Sequence, residues 1–469
     1  MLERFKTLIE QIREARILRS RMIQWTMTLS FFLVLASLFY AKAFGTYFFA
    51  DDVDTFGRLA EAVRDGQLIR YLFEPINKHV VIVSKLPYLL SYLTDRQIFP
   101  WHVYLFGLFA LTCTTLFFFF KLLWKNTLLA GLLSLFFFFA VPAIDYLYDT
   151  YSSGNILCYT LIAVSMHLWL IYLRNRDRKA LAASITTGVL CTFSISPGLF
   201  VWVLFALLSF REKEKKILPY LLPVSMAGLT FGIIWLIRSA YPASGDVLQS
   251  DIIKGLSYTW KGTNLVTFSF VSTWWQKSVL LAVALILLVT KRVQPRGLAI
   301  AAAIMIVPLW MTLTMRSSFT DSYVWLRYYF MPSLGLCMLA GELLQAPWRE
   351  KLSMSRQSVS FVILAVLLPM IYLNARETDR VQNAGPLTSY LEINAEAVKF
   401  EQAYRDAAYR YAAYYRTSTI SVPAIELPIT GYPGTHTPRF ILGYVLPYSD
   451  KLTVVEQAGS DFFTFFRAP

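Results

Sequence analysis

Residues 47–93 determine the plan of the chain, and they read YFFADDVDTFGRLAEAVRDGQLIRYLFEPINKHVVIVSKLPYLLSYL. An apolar run ends at Ala50, and two adjacent carboxylates, Asp51 and Asp52, follow it, with Asp54 slightly further on. Adjacent like charges repel each other, and taking them out of water adds a further cost. Acids kept at the end of an apolar span therefore indicate a functional site. The alternative is an ordinary polar cap where a helix leaves the bilayer.

A second polar cluster, Glu74-Pro75-Ile76-Asn77-Lys78-His79, opens the next apolar segment. A phosphate can meet free backbone N–H groups at such a helix start, and His79 is a candidate contact. A lone histidine is also often a capping or packing residue. Asp52 and Asp54 can hold a divalent cation, Mg²⁺ or Mn²⁺, through their oxygens, although a single D-x-D pattern is a weak signal.

Composition places the chain in a membrane. Its 469 residues are 56% hydrophobic and only 16% charged, whereas a soluble domain is usually about a quarter charged. The net charge of +14 comes from basic residues between the apolar runs, as the positive-inside rule expects. No basic stripe interleaved with aromatic residues occurs, so nucleic acid is not an expected partner. We expect an all-α polytopic membrane protein.

The apolar runs predict about eleven transmembrane helices. They lie at 22–44, 98–120, 126–144, 153–173, 180–195, 198–210, 217–239, 277–290, 297–315, 328–345 and 358–375. Connections after the even-numbered spans, such as 174–179 and 211–216, are basic, and the connection 145–152 has acids but no base. This alternation predicts a cytoplasmic N-terminus and a C-terminus on the outer side. The short runs around 194–198 predict either a tight outer turn or a broken helix.

The first outer loop has helical periodicity of its own. Apolar residues recur at helical spacing at Phe56, Leu59, Ala60 and Val63, and Gly66 is a candidate stop. A second stripe runs from Ile82 to Leu93 and is interrupted by Lys85 and Pro87. We expect both to be helices lying along the outer membrane surface.

Three regions are expected along the chain. Residues 1–21 form a basic, amphipathic segment on the cytoplasmic surface, and 22–375 form the transmembrane domain, with 45–97 as its first outer loop. Residues 376–469 form a small outer C-terminal region, α+β or irregular, in which 393–416 is predicted to be an amphipathic helix.

The four cysteines carry little information in the sequence. Cys113, Cys158, Cys191 and Cys337 all lie inside apolar runs, without metal-ligand spacing. They are poorly placed for disulfides, so they say little about the redox compartment.

Further polar residues flank later spans. Asp145, Asp149 and Tyr151 follow the third predicted span, and Arg327 and Tyr328 open the tenth. A carboxylate can take a proton from an acceptor hydroxyl, while Lys, His or Arg neutralises a departing phosphate. The alternatives are solvated loop acids and an arginine that snorkels to headgroups.

With these residues in place, the chain resembles the GT-C superfamily of integral-membrane glycosyltransferases. The resemblance lies in one span leading to a long outer loop with an acidic pair, an Asn-x-His-type cluster, a second loop with Asp, and many later spans. It implies that Asp51 or Asp52 is the catalytic base and that Asp145 is the second-loop acid. Lys replaces Glu at position 78 and Val80 replaces Arg relative to the Asn-Glu-His-Arg-like run of related bacterial sequences.

The resemblance also implies a set of binding residues. Candidate contacts to the donor phosphate are Lys78, His79, Arg327 and Tyr328. Candidate substrate contacts are Asn77, Glu74, Asp149 and Tyr151. Asp52 and Asp54 are the candidate metal ligands, because some members of the superfamily use a divalent metal and others do not.

The expected activity is transfer of a sugar from a polyprenyl-phosphate donor to a glycan, lipid or protein acceptor, with inversion at the anomeric carbon. The expected location is the bacterial inner membrane, with the active site facing the periplasm. One alternative is an O-antigen or polysaccharide polymerase, which would use periplasmic arginines rather than an acidic pair. Another is a transporter or flippase of polyprenyl-linked glycans or lipids, which would show two related halves.

Overall fold

The computed structural model describes most of the predicted transmembrane domain. The described residues are 21–46, 55–56, 58–59, 62–63, 65–76, 79–93, 98–148, 153–241, 295–315, 329–345, 356–383, 419–423 and 453–457. The basic segment before Arg21, the predicted span 277–290 and the predicted helix 393–416 lie outside them.

Helices account for nearly all of this part of the chain. In chain order they are α1 (Arg21–Phe39), α2 (Leu68–Phe73), α3 (Ile82–Leu93), α4 (Ile98–Trp124), α5 (Thr127–Phe138), α6 (Ala143–Tyr148), α7 (Ser153–Asn175), α8 (Arg178–Thr192), α9 (Phe200–Arg211), α10 (Leu218–Ala240), α11 (Pro295–Met315), α12 (Phe330–Gln345) and α13 (Arg356–Gln382). Short 3-10 helices occupy Ala41–Gly45 and Ser196–Leu199. Two strands, β1 (Thr419–Pro423) and β2 (Thr453–Gln457), pair in parallel.

Five stretches of helix among the described residues are long and apolar enough to cross a membrane. They are Met22–Phe39, Phe99–Trp124, Ser153–Asn175, Leu218–Ala240 and Gln357–Gln382. Every predicted span except 277–290 overlaps a helix, which agrees with an all-α membrane protein. Several of these helices are short, such as α5 and α9, and the number of spans stays a prediction.

The third predicted span is wrong in length. It was expected to be continuous over 126–144, but α5 ends at Phe138, and the separate helix α6 begins at Ala143. Pro142 lies in the break, and a proline disfavours helical backbone at the residue before it. Asp145 therefore belongs to a short helix of its own and does not end a span.

The centre of the bundle is formed by α4 and α7, which pack on each other. α1 and α5 pack on α4, while α3, α8 and α9 pack on α7. The described core contains many aromatic side chains; Trp169, for example, stacks on Phe205 with ring centroids 4.5 Å apart. Close packing of such rings fixes the relative depth of the helices.

One end of the bundle, which we call the loop face, collects the ends of α1, α5 and α13 and the start of α4. The Tyr40 hydroxyl donates to the Phe138 carbonyl at 2.7 Å. A His102 ring nitrogen lies 3.1 Å from the Thr46 carbonyl. The Tyr148 hydroxyl, in α6, donates to Gln382 Oε1 at 2.8 Å. The described residues of the first loop, which fall within 55–93, lie at this face.

The opposite end, which we call the arginine face, is held by an ion-pair network. Arg174 of α7 binds Glu212 at 2.9 Å, and Arg211 of α9 binds both Glu212 at 2.8 Å and Glu342 of α12 at 2.6 Å. Trp124, at the end of α4, donates its indole N–H to the same oxygen of Glu342 at 3.3 Å. Four helices are thereby joined at one level.

The two ends of α10 lie at opposite faces of the bundle. The start of α10 lies at the arginine face, where the Ser209 hydroxyl contacts the Pro219 carbonyl at 3.2 Å. α10 runs back along α9 and contacts the 3-10 turn at Ser196–Leu199, on the loop face. α11 begins again at the arginine face, where Arg296 lies over the Phe210 ring at 4.7 Å. α10 thus ends at the loop face, and α11 begins at the arginine face.

Candidate functional site

The first loop begins with a helical segment that a glycine ends. Phe56 and Leu59 are buried, as the apolar periodicity predicts. Gly66 has a φ of +67°, which few residues other than glycine adopt readily. Its N–H donates to the Val63 carbonyl at 3.2 Å, and the N–H of Gln67 donates to the Ala62 carbonyl at 2.7 Å. These paired bonds form a Schellman motif, so the prediction that Gly66 stops this helix is confirmed.

A buried lysine from α3 caps the C-terminal end of α2. Lys85 of α3 is only 2% exposed, and its ammonium donates to the carbonyls of Tyr71 and Glu74 at the end of α2, the latter at 2.6 Å. The ammonium also lies 4.4 Å from the centre of the Tyr71 ring. A cation suits the negative end of a helix. Burial nevertheless lowers the pKa of Lys85 to about 8, although Glu74 raises it in part.

α3 is polar inside and apolar outside. Its buried residues are Ser84, Lys85, Tyr88, Ser91 and Tyr92. Leu86, Leu90 and Leu93 point outward and are 47%, 65% and 70% exposed. A helix on a water-soluble protein has the reverse arrangement. This orientation is typical of a helix whose outer side contacts lipid.

The cluster at 74–79 forms a tight turn between α2 and α3. Ile76 and His79 exchange two backbone hydrogen bonds, at 2.9 and 2.7 Å, so the chain reverses between them. Asn77 and Lys78, which lie between them in the sequence, are outside the described residues. Glu74 is exposed, and His79 is half-buried.

The first loop contacts two later parts of the chain, the start of α7 and the turn between α8 and α9. The N–H of Val83 donates to the Phe193 carbonyl at 3.0 Å, and the Ser84 hydroxyl donates to the Ser194 carbonyl at 2.6 Å. A Cβ at Gly154, in the first turn of α7, would lie 2.8 Å from the Ser84 hydroxyl. The start of α3 therefore presses on the start of α7 and on the turn between α8 and α9.

That turn is tight, as one of the two sequence interpretations expected. It consists of the 3-10 helix Ser196–Leu199 between α8 and α9. A Cβ at Gly198 would lie 2.0 Å from the Cys191 carbonyl oxygen, so the position admits only glycine without a backbone shift.

An aromatic cluster joins the second loop to the start of α12. The ring of Phe330 stacks on Tyr159 of α7 at 4.1 Å between centroids. Phe330 also meets the ring of Tyr146 in α6 at 6.1 Å, and Tyr146 meets Tyr159 at 5.6 Å. Tyr146 follows Asp145 directly, and Phe330 follows the Arg327-Tyr328 pair. The cluster thus brings together two regions that are far apart in the sequence.

Polar groups around this cluster are buried without partners. The hydroxyls of Ser153 and Tyr329 and the side-chain oxygen of Asn155 have no hydrogen-bond partner within the described ranges. These residues are 1%, 0% and 5% exposed, respectively. Buried polar atoms are normally satisfied. Each of the three residues adjoins an undescribed segment that carries predicted site residues.

Most of the predicted site residues lie outside the described part of the chain. They are Asp51, Asp52, Asp54, Asn77, Lys78, Asp149, Tyr151, Arg327 and Tyr328. Asp145 is placed in α6 by its backbone. Glu74 and His79 flank the turn described above. Among the described residues no group of three or more His, Cys, Asp or Glu suits a metal ion.

Sequence reasoning assigned no role to four residues of this region, Lys85, Ser153, Asn155 and Tyr329. Lys85 was noticed only as an interruption of an apolar stripe, but a lysine at a buried helical position is itself a signal of a polar contact. Ser153, Asn155 and Tyr329 gave no pattern of their own.

No family model matches the chain, and no curated protein matches it either.

Proposed function

We propose that the protein is an inverting glycosyltransferase of the GT-C type, moving a sugar from a polyprenyl-phosphate donor to an acceptor hydroxyl at the loop face. The acceptor is a glycan, a lipid or a protein. On this proposal the loop face is the periplasmic side of the bacterial inner membrane, and the C-terminal region lies on that side. The basic residues at the opposite face, among them Arg174 and Arg211, support this orientation through the positive-inside rule.

The observation that carries the proposal is the contact between Phe330, Tyr146 and Tyr159. Their ring centroids lie 4.1 to 6.1 Å apart. Asp145 is adjacent to Tyr146 in the sequence. Arg327 precedes Phe330 by three residues, and a chain of that length spans at most about 10 Å. We therefore propose that Asp145 and Arg327, about half of the transmembrane domain apart in the sequence, meet at the loop face. A carboxylate beside a phosphate-binding cation is what the transfer needs.

The proposal assigns the first-loop acids to the same face by similar reasoning. Asp52 precedes Thr55 by three residues, again at most about 10 Å of chain. The Thr55 carbonyl accepts a hydrogen bond from the Tyr71 hydroxyl at 3.3 Å. Next to it, Phe56 packs edge-on against Tyr88 at 5.3 Å.

The proposed chemistry uses a base on one side of the sugar and cations on the other. Asp51 or Asp52 takes the proton of the acceptor hydroxyl as its oxygen attacks the anomeric carbon. The bond between this carbon and the phosphate oxygen breaks, and the polyprenyl phosphate leaves with the bonding electrons. Arg327, assisted by Lys78 or His79, neutralises the charge that develops on the phosphate.

Substitution of the acids tests the reaction. We expect Asp51→Asn or Asp52→Asn to lower transfer at least 100-fold, because a positioned base contributes roughly 10²–10⁴-fold. The assay follows conversion of co-purified donor to free polyprenyl phosphate after addition of a membrane extract containing acceptors. Asp379→Asn, an exposed acid near the same face, is the matched control and keeps its rate. Full activity in both first-loop variants would refute the proposal.

Native mass spectrometry of the gently purified protein identifies the class of substrate. A bound polyprenyl phosphate, with or without one sugar, is the expected result. A polyprenyl diphosphate carrying an oligosaccharide would instead point to a polymerase or a flippase. Ordinary phospholipid alone would count against the transferase.

A further inference from the structure

Two cysteines that are distant in the sequence lie against each other in the bundle. The Sγ atoms of Cys158, in α7, and Cys191, in α8, are 3.6 Å apart. The Cys191 thiol also lies 3.4 Å from the Cys158 carbonyl oxygen, and both side chains are fully buried. A disulfide needs an S–S distance of about 2.05 Å. Closing the gap requires a shift of about 1.5 Å, shared between two side chains that already face each other.

The position of the pair along the helices determines which side of the membrane it is nearer. Cys158 is the sixth residue of α7 and so lies about 8 Å below the start of that helix. Cys191 is the penultimate residue of α8. Both helix ends belong to the loop face, and α7 and α8 are joined at the other end by a short connection. The thiols therefore lie near the free ends of a helical hairpin, beneath the contact between Ser84 and Ser194.

We infer that Cys158 and Cys191 are joined by a disulfide made on the loop-face side by a protein oxidant that itself carries a reactive disulfide. The inference rests on the orientation in the proposed function, in which the loop face meets an oxidising compartment, but not on the transfer reaction. The bond would fix α7 to α8 directly below the attachment of the first loop. Free buried thiols that merely pack as small apolar groups are the alternative.

The chemistry is ordinary thiol–disulfide exchange. The Cys158 thiolate attacks one sulfur of the oxidant's disulfide, which forms a mixed disulfide and releases the oxidant's other sulfur as a thiolate. The Cys191 thiolate then attacks the Cys158 sulfur and expels the second oxidant sulfur. Two electrons and two protons pass in total from the two cysteines to the oxidant, which ends as a dithiol. Because the packed thiols are closed to a protein, the exchange occurs while the helices are still separate.

The test counts free thiols in the full chain, purified from the membrane of a bacterium with an oxidising periplasm. The protein is denatured in excess N-ethylmaleimide, with or without prior reduction, and its intact mass is measured. We expect two labels without reduction, on Cys113 and Cys337, and four after reduction. A peptide digest should contain one linked pair, Cys158 with Cys191. Four labels without reduction, or a linkage between other cysteines, would overturn the inference.

Single substitutions and the host supply the controls. Cys158→Ser and Cys191→Ser should each give three labels whether or not the protein is reduced. Cys113→Ser, in the middle of α4, is the matched control and should give one label before reduction and three after. In a host that lacks its periplasmic dithiol oxidase, we expect four labels without reduction. A disulfide that persists there would overturn the assigned oxidant. Donor lipid found with free thiols would refute the disulfide while leaving the transferase in place.

Discussion

Lys85 joins two helices of the first loop, α2 and α3. Its ammonium donates to carbonyls at the end of α2, among them that of the buried Tyr71. The end of a helix leaves several carbonyls without partners, and here one side chain supplies donors for more than one of them. The cost is a buried charge.

Replacement of Lys85 should loosen α2 selectively. In Lys85→Met the carbonyl of Tyr71 loses its partner, which costs roughly 1–3 kcal/mol. We expect amide hydrogen exchange over residues 68–76 to become about 10- to 100-fold faster, measured by mass spectrometry in detergent. Lys121→Met is the control, since Lys121 contacts the side chain of Gln24 at 3.4 Å at the other end of the bundle. Equal effects of the two substitutions would contradict this role.

The lowered pKa of Lys85 predicts a pH dependence with a definite sign. Its pKa is about 8 in the folded protein against 10.5 for an ordinary lysine. Between these values the unfolded chain binds more protons than the folded one, so stability from this group rises with pH. The melting temperature of wild type minus that of Lys85→Met should therefore increase between pH 7.5 and pH 10.5. A difference that stays constant or shrinks would show that burial does not disfavour the charge.

At the scale of an element, α3 has the composition of an amphipathic helix and the orientation of a lipid-facing one. The apolar stripe in the sequence predicted the helix correctly, including Pro87 inside its first turns. Periodicity does not show which side of a stripe faces the protein. In the structure, the side of α3 that contains Lys85 faces the protein, and the leucine side faces outward.

Spin labels on α3 test whether lipid covers its leucines. Nitroxides at Leu86→Cys and Leu90→Cys should collide more with oxygen, which concentrates in lipid, than with a water-soluble nickel chelate. Gln67→Cys, exposed before α2, should show the opposite preference and serves as the control. Electron paramagnetic resonance in nanodiscs measures both. Preferential collision of the α3 labels with nickel would place the leucines in water.

At the scale of the whole molecule, the arginine face acts as the clamp of the bundle. Glu342 accepts hydrogen bonds from both Arg211 and Trp124. A Cβ added at Gly297 would lie only 2.5 Å from the Glu342 carboxylate. Removal of one partner from a buried ion pair leaves an uncompensated charge. An exposed pair contributes much less.

We therefore expect Glu342→Ala to destabilise the protein by about 3–5 kcal/mol. Glu377→Ala, which breaks the exposed pair with Arg380, should cost less than about 1 kcal/mol. Thermal unfolding in detergent compares the two variants. Equal shifts would mean that the network at the arginine face contributes no more than a surface pair.

The sequence predicted the helices and their alternating direction well, because apolar runs and basic connections follow from the physics of the bilayer. It did not predict the break at Pro142, where hydrophobicity continued through a residue that ends helices. It also did not predict the contact of Tyr146 with Phe330 or of Cys158 with Cys191. Such contacts depend on how helices pack, and periodicity within a single segment contains no information about a distant one.

The attachment of α3 to Phe193 and Ser194 also bears on how the chain is made. Ser84 and Ser194 are 110 positions apart, and ribosomes add roughly 5–20 residues per second. The first loop therefore waits roughly 5 to 20 seconds after its own synthesis before its docking partner exists. Chains that stop before residue 193 would keep it undocked. The first loop is thus translated early but docks late.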